Sequence, residues 1–193
     1  MVLSYREGIG ATLFEALAED SGCAAGAQRM QSALNVEGSA AAVALKLAAA
    51  YTQLFDGVGG SKTVSLYESA HVCASGRLFQ APSGDMEKLL RQSDISTDAA
   101  FREPPDHLSI ELAFLARLIR HGADRMAQTA LLLDDHLLVW VPAFADRCRE
   151  CDRTGFYAGA AQLLTAFLTA QRIALKIKRA AKSRTGVTLC HFD

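Results

Sequence analysis

Glu103-Pro104-Pro105-Asp106-His107-Leu108-Ser109-Ile110-Glu111-Leu112-Ala113-Phe114-Leu115-Ala116-Arg117-Leu118 is the stretch on which the reading of the fold turns. Its two prolines fix an extended approach and strip two backbone donors from the loop. The apolar run over 108–118 then reads as a helix, with Asp106 at the natural cap position. There a carboxylate accepts orphan N–H groups and meets the positive end of the helix dipole. His107 falls in the first turn beside it. A rigid loop that presents a carboxylate and an imidazole at a helix N-terminus is a plausible recognition corner. A proline-initiated, capped helix with no further role accounts for the same five residues.

Outward from this stretch, the helical period recurs nearly everywhere. Residues 4–20 place Tyr5, Ile9, Leu13, Phe14 and Leu17 on one face, and 24–34 is weakly amphipathic through Met30 and Leu34. Gly38 and Ser39 open an alanine-rich helix over 39–56, with Val43, Leu47, Tyr51, Leu54 and Phe55 inward. After a glycine-rich break at 56–61, a segment over 63–74 is closed by Gly76, and Pro82 starts a helix over 83–92. Helices over 107–121 and 124–140 follow, separated by His121-Gly122. Pro142 breaks or kinks the second, leaving a short helix over 142–152. The last, over 154–182, repeats Phe156, Leu163, Leu164, Phe167, Leu168 and Ile173. The expectation is all-α: a single globular helical bundle of about eight to ten helices spanning 1–193. The polar connection at 93–105, rich in Ser, Asp and Pro, is its candidate hinge.

Composition agrees. Half of the 193 residues are hydrophobic and 21% are charged, enough apolar side chain for a sizeable core. Fourteen glycines and four prolines are too few for disorder or a many-turned β fold. The sequence has no uninterrupted apolar stretch of about 18 residues, so stable membrane insertion is not expected. Its start lacks the basic-then-apolar layout of a secretory signal. Cys23, Cys73, Cys148, Cys151 and Cys190 are an odd, scattered set, which favours reduced thiols in a cytoplasmic setting. Charge is asymmetric: residues 1–152 carry 13 Lys/Arg against 20 Asp/Glu, and 153–193 carry 7 against 1. An acidic body repels nucleic acid and attracts a basic partner.

Three other chemistries can be weighed. Gly57-Val58-Gly59-Gly60-Ser61-Lys62-Thr63 resembles a phosphate loop, but Asp56 stands where the first glycine belongs and Ser61 where the last does. A connector explains the 56–63 loop better than a nucleotide site. Cys148-Arg149-Glu150-Cys151 has the spacing of half a zinc site or a dithiol centre, with only His136 as a companion. A catalytic His107 needs Glu103 or Glu111 to orient it, and no nucleophile motif accompanies it. The basic residues from Arg172 to Arg184 lack interleaved aromatics and read as a solvated helix end rather than an RNA surface. No enzymatic activity and no cofactor are implied.

Taken in order, several segments fall at familiar intervals. They are Tyr51-Thr52-Gln53-Leu54-Phe55, Leu66-Tyr67-Glu68-Ser69, Glu103-Pro104-Pro105-Asp106-His107, His136-Leu137-Leu138-Val139-Trp140-Val141-Pro142-Ala143-Phe144 and Thr154-Gly155-Phe156-Tyr157. Together they resemble the TorD/DmsD family of redox-enzyme maturation chaperones over about 40–170. The resemblance implies an all-helical, cytoplasmic chaperone without a cofactor, acting as a monomer or a helix-exchanged homodimer. Such a protein binds the twin-arginine signal peptide and the apo form of a molybdopterin oxidoreductase, assists cofactor insertion and delays export. Carried across, Glu103, Pro104, Asp106 and His107 form the peptide-binding loop, and Tyr67, Glu68 and Ser69 help shape the same groove. A leader of this kind joins two guanidinium groups to an apolar stretch. Its receptor therefore needs carboxylates and an apolar groove, and His107 would tune the local charge near neutral pH.

Overall fold

The computed structural model describes residues 17, 19, 22–73, 80–93 and 103–186, with side chains through 181. Among them the chain is helical and no strand forms; one isolated antiparallel bridge joins Tyr67 to His107. Eight α-helical segments follow in order: α1 Ala24–Leu34, α2 Ala40–Phe55, α3 Glu68–Val72, α4 Ala81–Gln92, α5 Leu108–His121, α6 Met126–Leu131, α7 Leu138–Cys151 and α8 Phe156–Gly186. The expected helix over 4–20 lies, apart from two of its residues, outside the described residues, as do Gly76 and most of the 93–105 connection.

Local chemistry sets these boundaries. Ser39 caps α2 by accepting from the Ala42 N–H at 3.2 Å. Pro82 enters α4 in its first turn, where a missing N–H costs nothing. Asp152 caps α8 with both oxygens, accepting from Thr154 N–H at 2.8 Å and from Tyr157 and Ala158 N–H at 2.8 and 3.0 Å.

Four expectations meet a different structure. Within the segment over 63–74, Glu68–Val72 is helical, and the backbone just before it, extended at Tyr67, pairs with the 104–108 segment. Pro142 does not end its helix: α7 continues through it to Cys151. Its ring crowds the Leu138 carbonyl and removes one bond. Just upstream, Leu132–Leu137 widens into a π turn, in which the Leu138 N–H reaches the Leu133 carbonyl. On α8, Phe167 and Ile173 are exposed while Leu168 and Leu175 are buried. Tyr51 on α2, expected inward, is 41% exposed and packs edge-on against Tyr157 instead.

The core has two parts. Met30 and Leu34 of α1, Val43 and Leu47 of α2 and Phe156 of α8 form the smaller. The larger gathers Leu89 and Leu90 of α4, Phe114 and Leu118 of α5, the π turn, and Trp140 and Phe144 of α7. Tyr157 packs against both and donates its hydroxyl to the Leu47 carbonyl at 2.8 Å. Helix α8, about 46 Å long at 1.5 Å per residue, packs along α1 and α7.

Its contact with α1 is close enough to exclude side chains. A Cβ at Gly159 would sit 2.6 Å from the Gly26 carbonyl oxygen, and one at Gly26 would sit 2.8 Å from that of Gly159. Gly159→Ala therefore sets about 1 kcal/mol of helix propensity gained against about 1–3 kcal/mol of overpacking. The obstacle is backbone, so overpacking wins. The variant should unfold several degrees below wild type in a thermal melt, whereas Gly84→Ala, with open space around it, should not.

Candidate functional site

Two chain segments distant in sequence meet at residues 65–69 and 103–109. The Leu108 N–H donates to the Leu66 carbonyl at 2.9 Å, and the Glu68 N–H donates to the Asp106 carbonyl at 3.0 Å. This short pairing fixes the register and sets Tyr67 directly opposite His107, ring centroids 4.9 Å apart and edge-on.

Asp106 is not the cap of α5. It is fully buried, and its Oδ2 accepts from the Ser69 N–H at 3.0 Å and from the Ser69 hydroxyl. The carboxylate thus caps α3, 37 residues away in sequence. The residue that caps α5 is His107, whose Nδ1 accepts from the Ser109 N–H at 3.1 Å. That bond requires an unprotonated Nδ1. Burial lowers the pKa of His107, with Glu103 and Asp106 opposing the shift, so the imidazole is neutral at pH 7 rather than a tuner of charge.

The predicted site residues divide by exposure. Asp106, Ser69, Glu68 and Pro104 are buried; Tyr67 and His107 are half-buried, and Glu103 is exposed. The Tyr67 hydroxyl donates to the Glu103 carboxylate. Burial, and then that hydrogen bond, push the phenol up to about 12. The outer face of the corner is therefore a carboxylate, a phenol and an imidazole, held from behind by Asp106 and Ser69.

Behind it lies a polar cluster that single residues in the sequence did not reveal. Glu68, 2% exposed, accepts from His136 Nδ1 at 2.7 Å, and Glu111, fully buried, accepts from Trp140 Nε1 at 3.1 Å. The Trp140 ring stacks on His71, whose Nε2 bonds the Ser65 carbonyl at 2.8 Å. Donor atoms of Glu68, Glu111 and His136 all lie within 4.8 Å of one another. Such a donor set invites comparison with a metal centre, but the ligand atoms of a tetrahedral zinc stand roughly 3.3 Å apart, given bond lengths of about 2.0–2.1 Å. The direct 2.7 Å contact between imidazole and carboxylate is instead a hydrogen bond. Two carboxylate charges this close would repel by roughly 3.5 kcal/mol at an effective dielectric near 20. Burial first, and then Glu68, raise Glu111 well above the ordinary carboxyl range, with the Trp140 bond opposing.

The other candidate chemistries find no support in the geometry. The 56–63 loop follows a helix, not a strand, and returns to it through Val64 N–H to Leu54 carbonyl at 2.7 Å. A Cβ at Gly59 would meet the Gln53 carbonyl at 2.3 Å, so that glycine serves close packing. Cys148 is buried, and its thiol is pushed up to about 12 by burial, Asp152 and Cys151, which opposes the thiolate that zinc or redox chemistry needs. The His136 Nδ1 is engaged by Glu68. An apolar groove of about 830 Å³ lies elsewhere, between α1, α7 and α8, with Gly26, Pro142, Ala145, Phe167 and Ile173 among its walls. No helix among the described residues is long and apolar enough to cross a membrane.

Comparison with known proteins gives consistent matches. A protein-family profile described as nitrate reductase delta subunit matches residues 17–146. The chaperone protein TorD of Vibrio parahaemolyticus serotype O3:K6 is 35% identical over 133 residues, covering 64% of this chain and 61% of that protein. Its counterpart in Photobacterium profundum is 36% identical over 132 residues, with the same two shares. In Vibrio cholerae serotype O1 (strain O395) the match extends over 166 residues at 31% identity, covering 81% of this chain and 74% of the relative. The chain thus spans 61% of the length of the first two relatives.

The Asp106 cap makes a stability prediction. Asp106→Ala leaves the buried Ser69 N–H and hydroxyl without their acceptor, a loss of about 1–3 kcal/mol. Asp106→Asn keeps one acceptor oxygen and should lose less. Urea denaturation of the two variants checks the order, and equal stability of Asp106→Ala and wild type would remove Asp106 as the fastener of the corner.

Proposed function

The chain belongs to the TorD/DmsD family of redox-enzyme maturation chaperones, and from that premise we propose that it is a cytoplasmic chaperone for an exported molybdoenzyme. It binds the twin-arginine signal peptide and the apo form of a molybdopterin oxidoreductase of the DMSO/TMAO reductase type. It assists cofactor insertion into that client and delays export until the client is folded. It acts without catalysis of its own, as a monomer or as a homodimer that exchanges helices through the 93–105 connection.

The observation that carries this reading is the locked corner with an exposed Glu103. A guanidinium group seeks a carboxylate with an open approach and flat groups beside it. Glu103 offers the carboxylate, and the Tyr67 and His107 rings stand beside it. Asp106 and Ser69 contribute by holding that arrangement, since their polar atoms are turned inward. The apolar half of a leader needs an apolar cleft, and the groove on α7 and α8 has that chemistry.

Titration calorimetry with a synthetic twin-arginine leader tests the assignment. Glu103→Gln, which removes an exposed charge without touching the buried cap, should weaken binding about tenfold. Far-UV circular dichroism should stay at the wild-type level. Replacing both leader arginines by glutamine should abolish the difference between the two proteins. Unchanged affinity in Glu103→Gln would refute the site.

Raising salt separates the two halves of the interaction. Exposed charge pairs are screened over about 8 Å at 0.15 M, whereas apolar contact is not. Binding should therefore fall in part and then level off. Complete loss at moderate salt would leave no role for an apolar groove.

A further inference from the structure

We propose that Glu68 and Glu111 share a single buried proton, carried on Glu111, and that this acid–carboxylate pair positions the corner formed by residues 65–69 and 103–109. The pairing stands on its own geometry. Its use in peptide binding rests on the function proposed above.

The hydrogen-bond inventory around the two carboxyl groups points to the proton. Glu68 accepts from the His136 imidazole and so behaves as the carboxylate of the pair. Glu111 accepts from the Trp140 indole through Oε2, but its Oε1 is buried and receives no hydrogen bond. Leaving an oxygen of a buried ionised carboxylate without a donor is costly. A protonated Glu111 needs an acceptor instead, and Glu68 lies beside it. Burial and the Glu68 charge both favour the protonated form of Glu111, as does a hydrogen bond that only this form donates to Glu68.

The charged and titratable groups around the pair come from every neighbouring element. Asp106 of the corner adds a second negative charge, favouring the proton on Glu111. His136 of the π turn binds Glu68, and Asp85 of α4 is within electrostatic range of His136. Trp140 of α7 supplies the opposing donor, and His71 of α3 covers the indole face.

The pair is one backbone bond from the corner on each side. The Glu68 N–H donates to Asp106, and the Glu111 N–H donates to the His107 carbonyl at 3.1 Å. Ionising Glu111 sets two carboxylates against each other across the gap between α3 and α5, the helices that carry Tyr67 and His107 at their N-termini. Loss of the proton therefore pushes the two halves of the corner apart.

The sign follows from linkage. A carboxyl held above its unfolded pKa binds its proton more tightly in the folded state. Its contribution is full below the ordinary glutamate pKa of 4.5 and is lost as pH rises towards the folded pKa. Wild-type urea midpoints should fall with pH over that window relative to Glu111→Gln, which mimics the neutral acid and cannot ionise. Infrared difference spectroscopy at neutral pH should show the carbonyl stretch of a buried protonated carboxylic acid in wild type and not in Glu111→Gln. The same pH dependence in both proteins, or no such band in wild type, would overturn the proposal. So would stoichiometric zinc in the purified protein with loss of the band. Should Glu111→Gln fail to fold, the wild-type spectrum with ¹³C-labelled glutamate decides alone. Leader affinity measured across the same pH range should fall in wild type and stay flat in Glu111→Gln. If neither protein binds a leader, the functional reading fails while the infrared result still judges the proton.

Discussion

One buried carboxylate joins the two halves of the corner. Asp106 sits out of water and accepts from both the backbone and the hydroxyl of Ser69. Removing a charge from water is costly unless hydrogen bonds replace the lost hydration. The return on that cost is geometric. A five-residue helix such as α3 is too short to persist alone, and a cap supplied from 37 residues away ties it to the start of α5. Two prolines limit the freedom of the chain that delivers the carboxylate, which lowers the entropy lost in forming the contact. His107 then takes over the task of capping α5 that Asp106 would otherwise perform.

Why the sequence disclosed the fold more readily than the site can be stated residue by residue. Helices such as Ala24–Leu34 and Ala40–Phe55 were legible because apolar spacing is a local property, fixed by 3.6 residues per turn. The proline-to-helix junction at 103–108 was legible for the same reason. The target of Asp106 was not, because an aspartate before a helix has the same local signature whether it caps that helix or another. The short bridge between Tyr67 and His107 was hidden as well, since a pairing of two residues leaves no alternating pattern. Pro142 misled in the opposite direction. Its rule concerns an isolated helix, whereas the burial of Trp140, Val141 and Phe144 in the core holds this one together through the proline.

The buried cluster shows a further limit. Glu111, His136 and Trp140 each have an unremarkable reading alone: a first-turn acid, a lone histidine and a core aromatic. Their meaning comes from register. The π turn shifts the face on which residues after it emerge, and it places His136 against Glu68 while Trp140, four residues on, meets Glu111. A regular α-helix through 126–151 would carry the same residues with a different facing. Departure from regular geometry and the polar core are therefore parts of one arrangement.

Holding and presenting are assigned to different residues in this protein, and that division bears on how a single scaffold can serve a peptide. Residues that hold the corner are buried and bonded inward, so their contribution is insensitive to salt and indifferent to the ligand. Residues that present it are Glu103, Tyr67 and His107, a carboxylate beside two rings. A single exposed carboxylate attracts any cationic segment. What restricts the choice is the rigid placement of that charge beside two rings, because a guanidinium must satisfy direction as well as charge. Discrimination at the corner therefore depends less on the number of charges than on how firmly Asp106 and the cluster behind it keep them in place.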